Sequence, residues 1–254
     1  MKVWYNTSLV ESELAPIHDG WMLGRGIFET IRTIDGIPLA LSRHMRRAMR
    51  GGKVVGIRLP SEEDIRLAIA QVIDSNPFSN GRLRISFADD GSWIATHDEY
   101  LEIEKVARLR VESERIDSEK TPPKKFPYSY RLNILERAQS DGFDDAIVCN
   151  SQNFICESAI SNLLLYIDGQ WVTPPLSNGI LAGVMRALVI ENLEVVVRKV
   201  KFEELDSISG CLLLSSLKIA LSVESIGDRK LPEIEISQRL GAQIRAMVIA
   251  SSVR

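Results

Sequence analysis

Strand-like segments in this chain come in runs instead of alternating with helices, and that order constrains the fold more than any other feature. A parallel α/β sheet needs a crossover helix after nearly every strand, and few βαβ units are visible here. The first run is KVWYN, then SLV, then GIFETIRTIDGIPLAL, in which Asp35-Gly36 marks a hairpin between two apolar stretches. The Arg- and Met-rich segment from Ser42 to Lys53 reads as a helix that ends at Gly51-Gly52. A second helix opens after Pro60 with Ser61 as its N-cap, and Ile65, Ile69 and Val72 recur at helical spacing. RLRISFA (82–88) and YLEIEKVARLRV (100–111) read as strands returning to the same sheet.

The polar stretch ESERIDSEKTPPK (112–124), broken by Pro122-Pro123, reads as a linker. It divides the chain into a small N-terminal domain (1–113), a connection (114–123) and a larger C-terminal domain (124–254). A helix is expected from about Tyr128 to Ser140, with Leu132, Leu135 and Ala138 on one face. The short segments AIVC, FICES, NLLLYI and WVTP follow as strands, with turns at 150–152 and at Asp168-Gly169. GILAGVMRALVIENL reads as a helix with a glycine-rich start, and GCLLLSSLKIALSVESIG as further strand. The C-terminal ISQRLGAQIRAMVIA places Ile236, Leu240, Ile244 and Met247 on one stripe, as a surface helix should. The expected class is α+β in two subdomains.

Charge and composition narrow the function. The net charge is −3 and the pI about 5.8, so there is no basic field to hold a nucleic acid backbone. No apolar run approaches the roughly 18 residues that would span a bilayer. The start, MKVWYNTSLVESEL, has no apolar signal core, so a cytoplasmic protein whose mature chain begins here is expected. Cys149, Cys156 and Cys211 each sit in an apolar segment and read as buried reduced thiols. His18, His44 and His97 are scattered without metal-ligand spacing, and His44, in SRHMRRAMR, reads as a helix-surface histidine. P-loop and GxGxxG patterns are missing as well. Metal, nucleotide and disulfide chemistry are therefore not expected.

Four separated features make sense around one anionic cofactor. They are Lys124-Lys125, Glu157 at the end of FICES, the glycine-rich helix start Gly179–Gly183 followed by Arg186, and LLLSS ending in Ser215 and Ser216. Here the chain resembles a known family, the class IV aminotransferases or fold-type IV pyridoxal-phosphate enzymes. GRGIFETIR resembles the family's GDGVFETIR-type motif, and HMRR its HxxRL segment. CESAISNLLLYIDGQWVTPPLSNGILAGVMR is similar to the long signature EGxxSNxFxxxxGxxxTPxxxxGILxGxxR. The likeness covers nearly the whole chain. It implies the two-subdomain architecture of D-amino-acid aminotransferase-like enzymes, a homodimer, and pyridoxal 5'-phosphate as cofactor.

The resemblance gives roles to residues that are bland when read alone. The family's lysine falls without a gap on Lys124, with Lys125 the neighbouring alternative; by themselves they are a loop pair beside prolines. The cofactor needs such an amine for covalent attachment. Glu157 would face the pyridine nitrogen, where an apolar setting would punish an unpaired charge. Val184 and Met185 occupy the positions whose backbone amides would meet the phosphate at a helix N-terminus, with Arg47 as fixed charge and Ser216 as hydroxyl. Tyr128, or else Tyr130, would bond the cofactor's phenolic oxygen.

The chain also departs from the pattern. Arg25 stands where the family has Asp, Trp21-Met22 replace a smaller or tyrosine-containing pair, and Ser158 replaces a glycine. RISFADD lacks the arginine that often follows this strand, leaving Arg84, together with Arg25, as candidates for the substrate's carboxylates. The short length, the GVMR variant and the LERA helix resemble the lyase branch. They imply elimination of pyruvate from 4-amino-4-deoxychorismate to give 4-aminobenzoate, a step of folate synthesis. Amino transfer on D- or branched-chain amino acids is the alternative, and a non-catalytic binding relative a third.

Overall fold

Side chains alternate between faces along the strand Gly26–Ile34, and this decides how the first half of the chain is layered. Ile27 and Ile31 fall opposite Phe87 and Leu83 of the antiparallel strand Asn80–Ala88, on the face covered by the helices Leu41–Val55 and Glu62–Ser75. Met45, Ala48, Ile65, Ile69 and Val72 complete that core. Each such large side chain, fully buried, is worth about 1.5–3 kcal/mol.

The computed structural model describes residues 1–18, 21–116 and 121–252, and it divides into two compact units. The first holds Met1–Glu102, Pro123–Pro127 and the end of the chain from Ser251. Its strands are all antiparallel, in the order Lys125–Phe126, Gly26–Ile34, Asn80–Ala88, Trp93–Glu99, Lys2–Tyr5, Ser8–Glu11. The Asp35-Gly36 hairpin forms as expected, both residues at positive φ (48° and 77°), which is what a tight two-residue turn requires. The first helix does not stop at Gly51-Gly52. It runs on to Val55 and ends at Gly56, whose N–H bonds the Gly52 carbonyl. Gly52 is a packing residue, since a Cβ there would lie 2.4 Å from Leu59 Cδ1.

The second unit holds Ile103–Pro122 and Tyr128–Ala250. Its main strands run in the order Gln170–Thr173, Asn162–Ile167, Ile208–Ser215, Ile219–Ile226, Ala107–Ile116, Asp145–Asn150, Phe154–Ser158. Leu109, Ile147, Ile155, Leu163, Leu213 and Val223 form the centre of its core. The segment 100–111 therefore does not return to the first sheet. Its strand begins at Ala107 and pairs in parallel with both Asp145–Asn150 and Ile219–Ile226.

Those pairings also move the expected boundaries at 113 and 123. Glu112–Ile116, read as linker, is strand, and residues 117–120 of the expected connection 114–123 lie outside the described residues. Pro123–Pro127 group with the first unit because Lys125 and Phe126 pair with Ile27 and Gly26.

Three helices complete the second unit. Ser129–Ser140 buries Ile134 and Ala138, with Leu135 packed partly against them. Val184–Asn192 begins only after the glycine-rich stretch, with extended Gly183 as its N-cap. Ile234–Ser252 buries Ser237, Gly241, Ile244 and Val248, so of the expected stripe only Ile244 is fully covered. Small residues set this face: a Cβ on Gly241 would lie 3.3 Å from Leu212 Cδ2, a closeness that a search for large apolar residues misses.

The three cysteines are free and buried. Burial pushes the Cys149 thiol up to about 11 and Cys156 to about 12, and raises Cys211 as well. Among the described residues no helix is long and apolar enough to cross a membrane, and no group of three His, Cys, Asp or Glu is placed to hold a metal ion.

Candidate active site

In the first unit, Glu29 follows Phe28 in an extended strand and so points to the opposite face, under the helix Leu41–Val55. His44 and Arg47 stand three apart on that helix and meet it together. Arg47 Nε donates to Glu29 Oε1 at 2.8 Å and Nη2 to Oε2 at 2.5 Å, while His44 Nδ1 lies 2.7 Å from Oε2. Burial alone would raise the Glu29 carboxyl, but Arg47 and His44 outweigh it and hold it down at about 2. His44 is fully buried, and that burial lowers its imidazole, so the surface histidine expected from SRHMRRAMR is corrected. One edge of the guanidinium, Nε and Nη2, is thus fixed by one carboxylate.

The other face of the same sheet carries an aromatic patch. Lys124 accepts the Phe28 N–H through its backbone carbonyl at 2.9 Å, and its Nζ lies 4.4 Å above the Phe28 ring. Phe28 meets Trp21 edge to face at 5.0 Å, and the Arg84 guanidinium stacks 3.8 Å above Trp21. Burial, followed by the charge of Arg82, brings Arg84 down to about 10. Lys124 and Arg84 thus share one aromatic surface, whereas alternation turns the exposed Lys125 to the other side. Arg25 is exposed.

In the second unit, Glu157 ends a buried strand and is held from three directions. Arg131 Nη2 donates to Oε1 at 2.7 Å; Asn162 Nδ2 and the Leu181 N–H donate to Oε2 at 3.0 and 3.1 Å. Asn162 in turn fits only because residue 183 is glycine: a Cβ there would lie 1.8 Å from Asn162 Oδ1. Gly183→Ala is therefore expected to destabilise the protein by about 1–3 kcal/mol and to displace Asn162 from Glu157, measured by urea unfolding. An unchanged midpoint would show that the loop yields without cost.

Val184 and Met185 open the helix behind Gly183, where first-turn amides lie outside the intrahelical ladder and point at the N-terminus. Ser216 lies in the turn between Ile208–Ser215 and Ile219–Ile226, which ends on Ile219 at φ 56°. That turn is tied to the 157–162 segment by Lys218, whose Nζ reaches Asp145 Oδ2 at 3.4 Å and Ser161 Oγ at 3.1 Å. Ser158 Oγ also bonds Asp145 Oδ2, at 2.8 Å, so the serine that replaces a glycine is part of this buried network. Arg186 is structural: its guanidinium binds Thr173 Oγ1 and the Pro174 carbonyl. Tyr128 is half-buried as N-cap residue of the helix Ser129–Ser140, and Tyr130 is 47% exposed.

Each unit thus gathers part of the expected set: Arg47, Lys124 and Arg84 in the first, Tyr128, Glu157, Val184, Met185 and Ser216 in the second. Glu29, His44, Arg131, Asn162 and Lys218 were missed by sequence reasoning. Glu29, His44 and Asn162 sit inside the family-like motifs, which was the available signal; Arg131 and Lys218 carried none. Chemically, a fixed guanidinium and a helix N-terminus are anion sites, a buried carboxylate suits a protonated nitrogen, and a lysine amine suits a carbonyl carbon.

The model of Amino-transferase class IV matches residues 26–226. A putative aminodeoxychorismate lyase of Schizosaccharomyces pombe is 28% identical over 171 residues, covering 65% of this chain and 73% of the relative. A probable branched-chain-amino-acid aminotransferase of Rickettsia felis is 24% identical over 273 residues, covering 94% and 92%. The crystal structure of the branched-chain aminotransferase of Thermoproteus uzoniensis superposes with a TM-score of 0.85 at 22% identity, covering 98% of this chain and 95% of that one.

Proposed function

The chain belongs to the class IV aminotransferase family, and from that premise we propose that it is a pyridoxal 5'-phosphate-dependent 4-amino-4-deoxychorismate lyase. The donor sets in each unit fit the cofactor. Lys124 supplies the amine for its carbonyl carbon, and Glu157 the buried carboxylate for its ring nitrogen. In the second unit the Val184 and Met185 amides and Ser216 would donate to its phosphate and the Tyr128 hydroxyl to its phenolic oxygen; in the first, Arg47 is the guanidinium that the family resemblance assigns to the phosphate. A buried guanidinium N–H beside Glu157, Arg131 Nη1, has no acceptor among the described residues, as a site built for a polar ring requires.

One observation carries the substrate reading: Lys124 and Arg84 flank the same Trp21–Phe28 surface within one unit. A planar ring bearing carboxylates suits a surface of aromatic faces with cations at both ends. A branched-chain amino acid also brings a carboxylate, but no planar ring for the Trp21 and Phe28 faces. Bound pyridoxal phosphate supplies an electron sink for the C–H bond beside the substrate nitrogen. Lys124 Nζ takes the proton from the amine-bearing ring carbon and delivers it to the methylene carbon of the departing enolpyruvyl group. The C–O bond to the ring breaks, the ring becomes 4-aminobenzoate, and the released fragment is pyruvate. Arg84 orients a carboxylate throughout, and Arg25 is the second candidate for that task.

The full-length coverage of the branched-chain relative supports transaminase as the second reading. Purified protein given the cofactor and aminodeoxychorismate is expected to release pyruvate and 4-aminobenzoate in equal amounts, followed by coupled absorbance and chromatography. Conversion of branched-chain or D-amino acids to keto acids, with no 4-aminobenzoate, would replace the lyase by the transaminase. The same reading makes the protein a cytoplasmic homodimer, which light scattering after gel filtration checks for size.

A further inference from the structure

Arg131 was singled out by no motif, yet it is a largely buried cation held directly on Glu157. It lies in the first turn of the helix Ser129–Ser140 with its side chain only 14% exposed. Nη2 is committed to Glu157 Oε1 at 2.7 Å. Glu157 Oε2 is already shared by Asn162 and the Leu181 N–H, so the carboxylate cannot swing to follow a moving partner. Nη1 is buried too and has no hydrogen-bond acceptor among the described residues. A guanidinium is planar and its two terminal nitrogens are held side by side, so the unmet N–H sits beside Glu157. Buried donors are almost always paired, and a charged one left unmet is more costly than a neutral one.

We propose that Arg131 is a cofactor-binding residue, with Nη1 donating to the phenolic oxygen of the bound ring while Nη2 holds the carboxylate that faces the ring nitrogen. The inference rests on the pyridoxal-phosphate reading and on the assignment of Glu157 to that nitrogen. The oxygen follows from the connectivity of the ligand. The phenolic oxygen is carried on the ring carbon two bonds from the nitrogen, so a guanidinium seated on the nitrogen's carboxylate has it as the nearest anionic acceptor. The phosphate hangs from the other side of the ring, and within this unit the Val184 and Met185 amides are its proposed donors. Arg131 stands three residues after Tyr128 on the same side of the helix, so the two donate to one oxygen from adjacent positions.

The test compares two probes, pyridoxal 5'-phosphate and its 3-deoxy analogue, which lacks only the phenolic hydroxyl. Affinities of both are measured by absorbance and fluorescence titration of the full-length apoprotein, for the wild type, R131Q and R131K. Differences intrinsic to the two compounds cancel in the ratio of affinities between proteins. The wild type is expected to prefer the natural cofactor, and R131Q to lose on the order of tenfold of that preference, as for a charge-assisted hydrogen bond. R131K, which offers a point charge in place of a planar fork, is expected to recover only part of it. An unchanged preference in R131Q overturns the proposal. If either variant melts early, the wild type decides alone: binding both probes within about twofold of each other overturns it. A wild type that binds neither probe instead sinks the cofactor reading itself, so the two failures are distinct.

Discussion

Lys124→Ala is expected to leave a folded protein that turns over no substrate, with a rate at least about 10⁴-fold below the wild type. The same variant is expected to lose the visible absorbance of the bound cofactor. Both effects follow from one amine, because the residue that bonds the cofactor's carbonyl carbon is also the base that moves the substrate proton. Stability should change little. Lys124 is only half-buried, and its Nζ over the Phe28 face at 4.4 Å is worth about 0.5–1 kcal/mol. Lys125→Ala is the control: that side chain is exposed and turned to the opposite face, so activity should stay within about twofold. The reverse pattern, with Lys125→Ala inactive and Lys124→Ala active, would exchange the two lysines and detach the chemistry from the aromatic patch.

What sequence reasoning could reach depended on whether a residue's partner was local. The Asp35-Gly36 hairpin and the Ser61 cap are written in neighbouring residues, and both form, Ser61 Oγ accepting the Asp64 N–H at 3.1 Å. The membership of a strand in one sheet or another is not local. Ala107–Ile116 has the alternation of any half-buried strand, and only its parallel partners, 34 to 117 residues away, decide that it joins the second sheet. Glycines were misread for a related reason. By local pattern Gly52 reads as a helix end and Gly183 as part of a helix, because a close approach by Leu59 or Asn162 leaves no mark near them in the chain. Among candidate site residues, those carried by the motifs could be named, but their supports could not. Glu157 was visible; the arginine that holds it comes from a helix 26 residues earlier in the chain.

Glu29→Gln is expected to cost about 3–5 kcal/mol at neutral pH, the usual range for breaking a buried pair from one side. The substitution keeps the shape but leaves Arg47, 15% exposed, facing an amide, and His44, fully buried, without its anion. The effect should depend on pH in a definite direction. Glu29 has its pKa lowered from 4.5 to about 2 in the folded protein, so its ionised form stabilises the fold fully above pH 4.5. That contribution, about 3 kcal/mol on this shift, is lost as the pH falls from 4.5 towards 2. His44 acts in the same sense and earlier. Burial lowers its pKa below 6.5, so the unfolded chain takes up its proton first and wild-type stability begins to fall below that pH. Urea unfolding of both proteins from pH 7 to pH 3 should therefore show a wide gap at neutrality that closes only below pH 4.5. A gap of the same size at every pH would mean that Glu29 is held by packing, and that Arg47 owes its fixed plane to something other than this carboxylate.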